Sequence, residues 1–194
     1  MGFLFLPGSA GAPAYAETVS APVAIAGSAE EPSKRLATSK EVAQTYQVSM
    51  TAYNAVPGQT DANPFVTASG MASISEVVAA RSRDMAAELP FGTVIRIERS
   101  TKDTPSCRFG EVEHLIGYRI IADTMHQRWT HKIDVLFDQN DTVVVDGRAV
   151  NPALALGVCG QVTVTVVGKV DMTDPPTTQA ELAAMFAEPT YAVR

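Results

Sequence analysis

The chain has 194 residues, 46% of them hydrophobic and 19% charged, and carries a net charge of -6 at pH 7. That is enough apolar mass for one ordinary globular domain with tails, and the acidic balance offers no footprint for a nucleic acid, so no nucleic-acid partner is expected. No stretch of about 18 consecutive apolar residues occurs, so no transmembrane span is expected either.

The first sixteen residues read as the remnant of an export signal. Met1 to Leu6 is apolar, Pro7 to Pro13 is small and rich in breakers, and Ala14-Tyr15-Ala16 before Glu17 has the A-x-A form of a cleavage site. A positive segment ahead of the apolar run is missing, so a flexible Ala/Gly/Pro tail is the alternative. Export places the protein in the periplasm or cell envelope. There the two cysteines, Cys107 and Cys159, could form a disulfide; two separate thiols, with Cys159 buried among apolar neighbours, fit the sequence as well. Residues 17–46 are rich in Ala, Ser, Glu and Pro and poor in large apolar groups. They are expected to be a flexible linker, with a short helical lead-in over Lys40 to Tyr46.

The folded domain is expected over residues 47–170. Val48, Met50 and Ala52 alternate with Ser49, Thr51 and Tyr53 as in a half-buried strand. Turn formers crowd Asn54 to Pro64, and Gly70 suits a positive φ. Ser73 to Glu76 matches a capping box, but Val77 to Ala80 reads better as a short buried strand, followed by a helical turn that Pro90 stops. The next strand turns Ile95 and Ile97 inward and Val94, Arg96 and Glu98 outward. Residues 100–110 read as loop, and Val112 to Ala122 as strand interrupted by Gly117.

Two short apolar runs follow one another, Tyr118 to Ala122 and Ile133 to Phe137, joined by a polar loop with His126 and His131. Side chains alternate between the faces of a strand, so Ile133, Val135 and Phe137 share a core face, and Asp134 lies on the other with Leu136. Asp123 closes the first run. Both acids fall at strand positions where scaffolds often place chemistry. Asp146-Gly147 between β-formers marks a hairpin. Asn151-Pro152, ending at Gly157, marks a short capped helix. Val162, Val164 and Val166 form the last strand, and residues 171–194 a tail with a helix over Thr178 to Ala187 whose face is Leu182, Met185 and Phe186. Many short strands with few helices predict an all-β barrel or sandwich.

The ordered set Thr51-Ala52-Tyr53, Thr67-Ala68-Ser69-Gly70, Leu89 to Val94, Tyr118 to Thr124, Ile133-Asp134-Val135 and Ala155-Leu156-Gly157 resembles the 3D (three-aspartate) domain. That domain also occurs in the membrane-bound lytic transglycosylase A family. The resemblance implies a six-stranded double-psi β-barrel, peptidoglycan glycan strands as partner, and cleavage between N-acetylmuramic acid and N-acetylglucosamine to an anhydro-muramyl product. No cofactor and no metal are expected, and the expected setting is the periplasm or cell envelope, outer-membrane association included. By motif Asp134 is the catalytic acid and Asp123 helps to form the site. Thr124, Trp129, Tyr53 and Thr67 are the candidate substrate-binding residues. The family's first aspartate has no counterpart in Ala79-Ala80-Arg81, where the nearest acid is Asp84, and Met125 stands where a glycine is common.

Glycoside cleavage needs a carboxylic acid that stays protonated near neutral pH, through burial or a neighbouring carboxylate. Asp134 with Asp123 beside it meets that need, whereas strand-end aspartates that only bond loop amides do not. Trp129, the one tryptophan, could stack on a sugar or simply anchor its loop. His126 and His131 lack the tight spacing of a zinc site. A non-catalytic glycan-binding barrel is the alternative function.

Overall fold

The computed structural model describes residues 43–60, 63–102 and 104–186. The export-signal segment, the linker up to residue 42 and the last residues of the tail, Ala187 included, lie outside the described residues. Alternation begins earlier than expected: β1 (Thr45–Asn54) takes in Tyr46, which is strand and not helix. Its Val48 and Met50 are fully buried. It is followed by β2 (Val78–Arg81), a single 3-10 turn over Arg83–Met85, and β3 (Thr93–Arg99). Then come β4 (Tyr118–Thr124), β5 (Lys132–Phe137), the hairpin β6 (Val143–Val145) and β7 (Arg148–Val150), and β8 (Cys159–Lys169).

Six strands close a barrel in the order β1-β5-β2-β4-β3-β8, leaving the β6-β7 hairpin as a separate ribbon. The barrel is mixed: β1 runs parallel to β5 and β2 parallel to β4, and the other neighbours are antiparallel. Closure removes the open sheet edge that would otherwise invite pairing with another chain. No helix among the described residues is long and apolar enough to cross a membrane.

Both strand faces are apolar, so two clusters form. Ile95, Ile121, Ile133, Val135 and Phe137 belong to one, with Phe109 and Val112; Val78, Ala80, Val94, Ile120 and Leu136 belong to the other. The expected split of β5 is therefore observed. Val94, expected to face outward, is fully buried in the second cluster, because closure and the C-terminal helix cover that face. The segment before Gly117 also differs from expectation: Phe109–Ile116 is helix α1, not strand. Phe109, Val112 and Ile116 recur at helical spacing and are all buried.

The locally encoded pieces form as expected. Asp146 and Gly147 both take positive φ, 50° and 76°, which the two-residue hairpin turn requires. Helix α2 (Pro152–Leu156) is capped by the Asn151 side chain, which accepts from the Ala153 amide at 2.9 Å. Helix α3 (Gln179–Phe186) docks through Leu182, fully buried, and Phe186, whereas Met185 points to solvent. Cys107 and Cys159 are joined by a disulfide that ties the loop before α1 to the start of β8.

The fully buried Arg119 has no carboxylate partner among the described residues. The Arg119 guanidinium donates to the backbone carbonyls of Ile116, Leu115, Ser75, Val78 and Leu136 and lies 5.5 Å from the centre of the Phe137 ring. Burial pulls its pKa down to about 9. Those carbonyls belong to α1, the β1–β2 connection, β2 and β5, so a single side chain holds four segments in place.

Candidate active-site cleft

The strand register sets the site. Across the barrel wall Thr51 on β1 pairs with Asp134 on β5, Asp134 pairs with Ala80 on β2, and Ala80 pairs with Asp123 on β4. The last pairing exists because the β2–β4 register shifts between Ala79 and Ala80. Simple alternation would put Asp123 with Ile121 on the opposite face; the bulge brings it round to the face of Ala80 and Asp134. Bulges near sites commonly re-aim one side chain in this way. Asp134, Ala80 and Asp123 of that row line a cleft of about 520 Å³ to which Tyr53, Thr124 and Met125 also contribute.

Asp123 is tightly held. One oxygen accepts from the Ala68 amide at 3.0 Å and from the Thr124 amide at 2.8 Å; the other accepts from the Tyr53 hydroxyl at 3.0 Å. The loop carrying Ala68 is shaped by Gly70, at φ 89°, which lets the chain reverse so that the Thr67 amide and hydroxyl both donate to the Met71 carbonyl. Burial, then the nearby Asp123 charge, raises the Tyr53 phenol well above its ordinary pKa, so this group remains a donor.

Asp134 is satisfied differently. It takes one side-chain hydrogen bond, from the Thr51 hydroxyl at 2.9 Å. Removal from water lifts its pKa to about 6; the Asp123 charge pushes the same way, while Thr51 and the Lys132 ammonium pull it back. A carboxyl poised there can both give and take a proton near neutrality.

The rim over these acids is cationic. Trp129 is 39% exposed, and two cations lie over its ring: the Arg128 guanidinium at 4.9 Å and the buried Lys132 ammonium at 4.2 Å. Such pairs add roughly 0.5–1 kcal/mol each when exposed and more when desolvated. The loop is fixed from below, where the Met125 amide donates to the Arg81 carbonyl, the Lys132 amide to the Ser82 hydroxyl and the His131 amide to Asp84. Arg83, which opens the 3-10 turn, faces the same cleft.

Of the residues expected from sequence, Asp123, Asp134, Tyr53, Thr124 and Trp129 all line the cleft. Thr67 is buried beside it, with its hydroxyl turned to the Met71 carbonyl, and the neighbours Val66 and Ala68 form the wall instead. Asp84 lies outside the lining and holds the His131 amide. Sequence reasoning missed Thr51 as the partner of Asp134, although it lies two positions from Tyr53 and so shares its strand face. It also missed Arg83 and the register shift between β2 and β4. Among the described residues no group of three or more His, Cys, Asp or Glu side chains is placed to hold a metal ion. No protein-family model, curated protein or solved structure matches the chain.

Proposed function

We propose that the chain is a 3D-type double-psi barrel of the cell envelope that cleaves peptidoglycan glycan strands as a lytic transglycosylase, with Asp134 as general acid and base. The observation that carries the reading is a half-buried carboxyl with its pKa lifted to about 6, facing an open cleft beside a second carboxylate. In this reading Asp134 protonates the glycosidic oxygen as the bond to C1 of the muramyl sugar breaks. The muramyl 6-hydroxyl then attacks C1 and returns its proton to Asp134, closing the anhydro ring and regenerating the acid. No water nucleophile is needed, so one acid suffices. Asp123, held by three donors, keeps Tyr53 and the 68–70 loop in position and supplies the charge that helps Asp134 stay protonated. The disulfide agrees with an oxidising compartment, periplasm or cell surface.

Incubation with purified sacculi followed by mass spectrometry tests the proposal. Anhydro-muropeptides are expected from the wild type and none from Asp134→Asn, which keeps the Thr51 hydrogen bond and the fold. Equal turnover by the variant would remove Asp134 from the mechanism. A second reading, a non-catalytic glycan-binding barrel, is favoured by the stretch Ala79-Ala80-Arg81, which lacks the first aspartate of the three-aspartate pattern and whose Ala80 stands in register between the two acids. Co-sedimentation with sacculi without any cleavage product would select this reading.

A further inference from the structure

We infer that the cleft selects glycans that bear a carboxylate, and that Arg83 and Arg128 are the residues that recognise it. The inference rests on the reading that a glycan occupies this cleft, and adds to it which substituent is read and by what.

The charge distribution is the first argument. The protein is acidic overall, yet both arginines line the cleft together with His126, while the acids of the lining are Asp123 and Asp134. Those two are already engaged, Asp123 by three donors and Asp134 by Thr51. The ion pairs given by the described residues include Arg96 with Glu98 and Arg108 with Asp146, and among those residues no carboxylate neutralises either cleft arginine. Guanidinium groups left open on a concave wall match a planar carboxylate, which they can bind through two parallel hydrogen bonds.

The second argument is preorganisation. Arg128 is stacked on Trp129, and the ring is backed by the buried Lys132. Ordering that long side chain before binding lowers its entropic cost when a ligand arrives. Pro64 and Val66 add apolar surface to the same lining. Apolar and cationic groups in one lining suit an ether-linked carboxylic acid on a sugar better than a glycan with hydroxyl and acetamide groups alone. In peptidoglycan a carboxylate can come from the lactyl group of a peptide-free muramyl sugar or from the peptide stem attached to it.

Calorimetric titration, cross-checked by the emission of Trp129, the single tryptophan, separates the possibilities. The Asp134→Asn protein is used so that nothing is cleaved. The probes are a neutral N-acetylglucosamine tetramer, a peptide-free tetrasaccharide alternating N-acetylglucosamine with N-acetylmuramic acid, and the same tetrasaccharide carrying peptide stems. At least one acidic probe is expected to bind about tenfold more tightly than the neutral one, as one charge-assisted contact supplies. Which acidic probe gains identifies the source of the carboxylate. The preference should fall with added salt and disappear on adding Arg83→Gln and Arg128→Gln, both exposed positions, with an unchanged thermal midpoint. Equal binding of all three probes, or a preference that survives both substitutions, overturns the inference while leaving the cleft as a glycan site. Binding of none overturns both.

Discussion

At the scale of single residues, Asp134 and Asp123 are both carboxylates in one cleft, yet their surroundings fit them for different work. Three hydrogen bonds fasten Asp123 to a loop and a phenol, whereas Asp134 has one hydroxyl partner and an environment that disfavours its charge. The acid form of Asp134 predominates at lower pH and falls away as pH rises through about 6. If the proposed glycan cleavage is the activity, it should therefore lose rate along an alkaline limb centred near that value. Thr51→Val removes a hydrogen bond that favours the ionised form, so the limb should move to higher pH. A pH–rate profile of the two proteins checks this; an unmoved limb, or one moved to lower pH, would mean that another group controls the rate. The candidate acids were legible in the sequence through the Asp-Thr and Ile-Asp runs. Thr51 was not singled out, because a threonine in a half-buried strand carries no chemical signal until its cross-strand partner is known.

At the scale of elements, β2 is the shortest strand of the barrel and the one on which the site depends. It lies between the strands carrying the two acids and contributes only Ala80 to the row. Ala80→Asp would place a third carboxylate in register with both. Like charges that close disfavour each other's ionisation, so the pKa of Asp134 should rise well above 6. Carboxyl titration by NMR reads this directly, and an unchanged Asp134 would show that the register does not bring the groups into electrical contact. The hairpin and α2 were readable because each is determined within a few residues, by Asp-Gly in one case and by Asn-Pro and a closing Gly in the other. Helix α1 was not. Its buried stripe of Phe109, Val112 and Ile116 is short, and Val112 to Ala122 scans as strand once Gly117 is taken for an interruption.

At the scale of the whole molecule, the barrel closes through pairings between distant segments, and two devices hold it against the entropy of those long loops. One is Arg119, whose guanidinium satisfies carbonyls from separate elements; the other is the disulfide across a sequence separation of 52. A covalent link of that span contributes up to about 4 kcal/mol in the chain-entropy account. Cys107→Ala with Cys159→Ala should lower unfolding stability by roughly 2–4 kcal/mol in urea titration, and reductant should do the same to the wild type. A midpoint unaffected by both would show that packing alone holds the α1 loop to β8.

By itself the sequence determined the alternation of β1 and β5, the hairpin turn, the capped helix and the candidate acids. All of these depend on residue type and short-range spacing, which a linear reading can see. The tertiary structure decided the face on which Asp123 lies, the proton affinity of Asp134 and the cationic rim over the cleft. The first follows from a register shift between β2 and β4, the second from how much water the closed wall excludes, and the third from where the 125–131 loop folds back. Each is a relation between segments distant along the chain, and comes into being only when the barrel shuts.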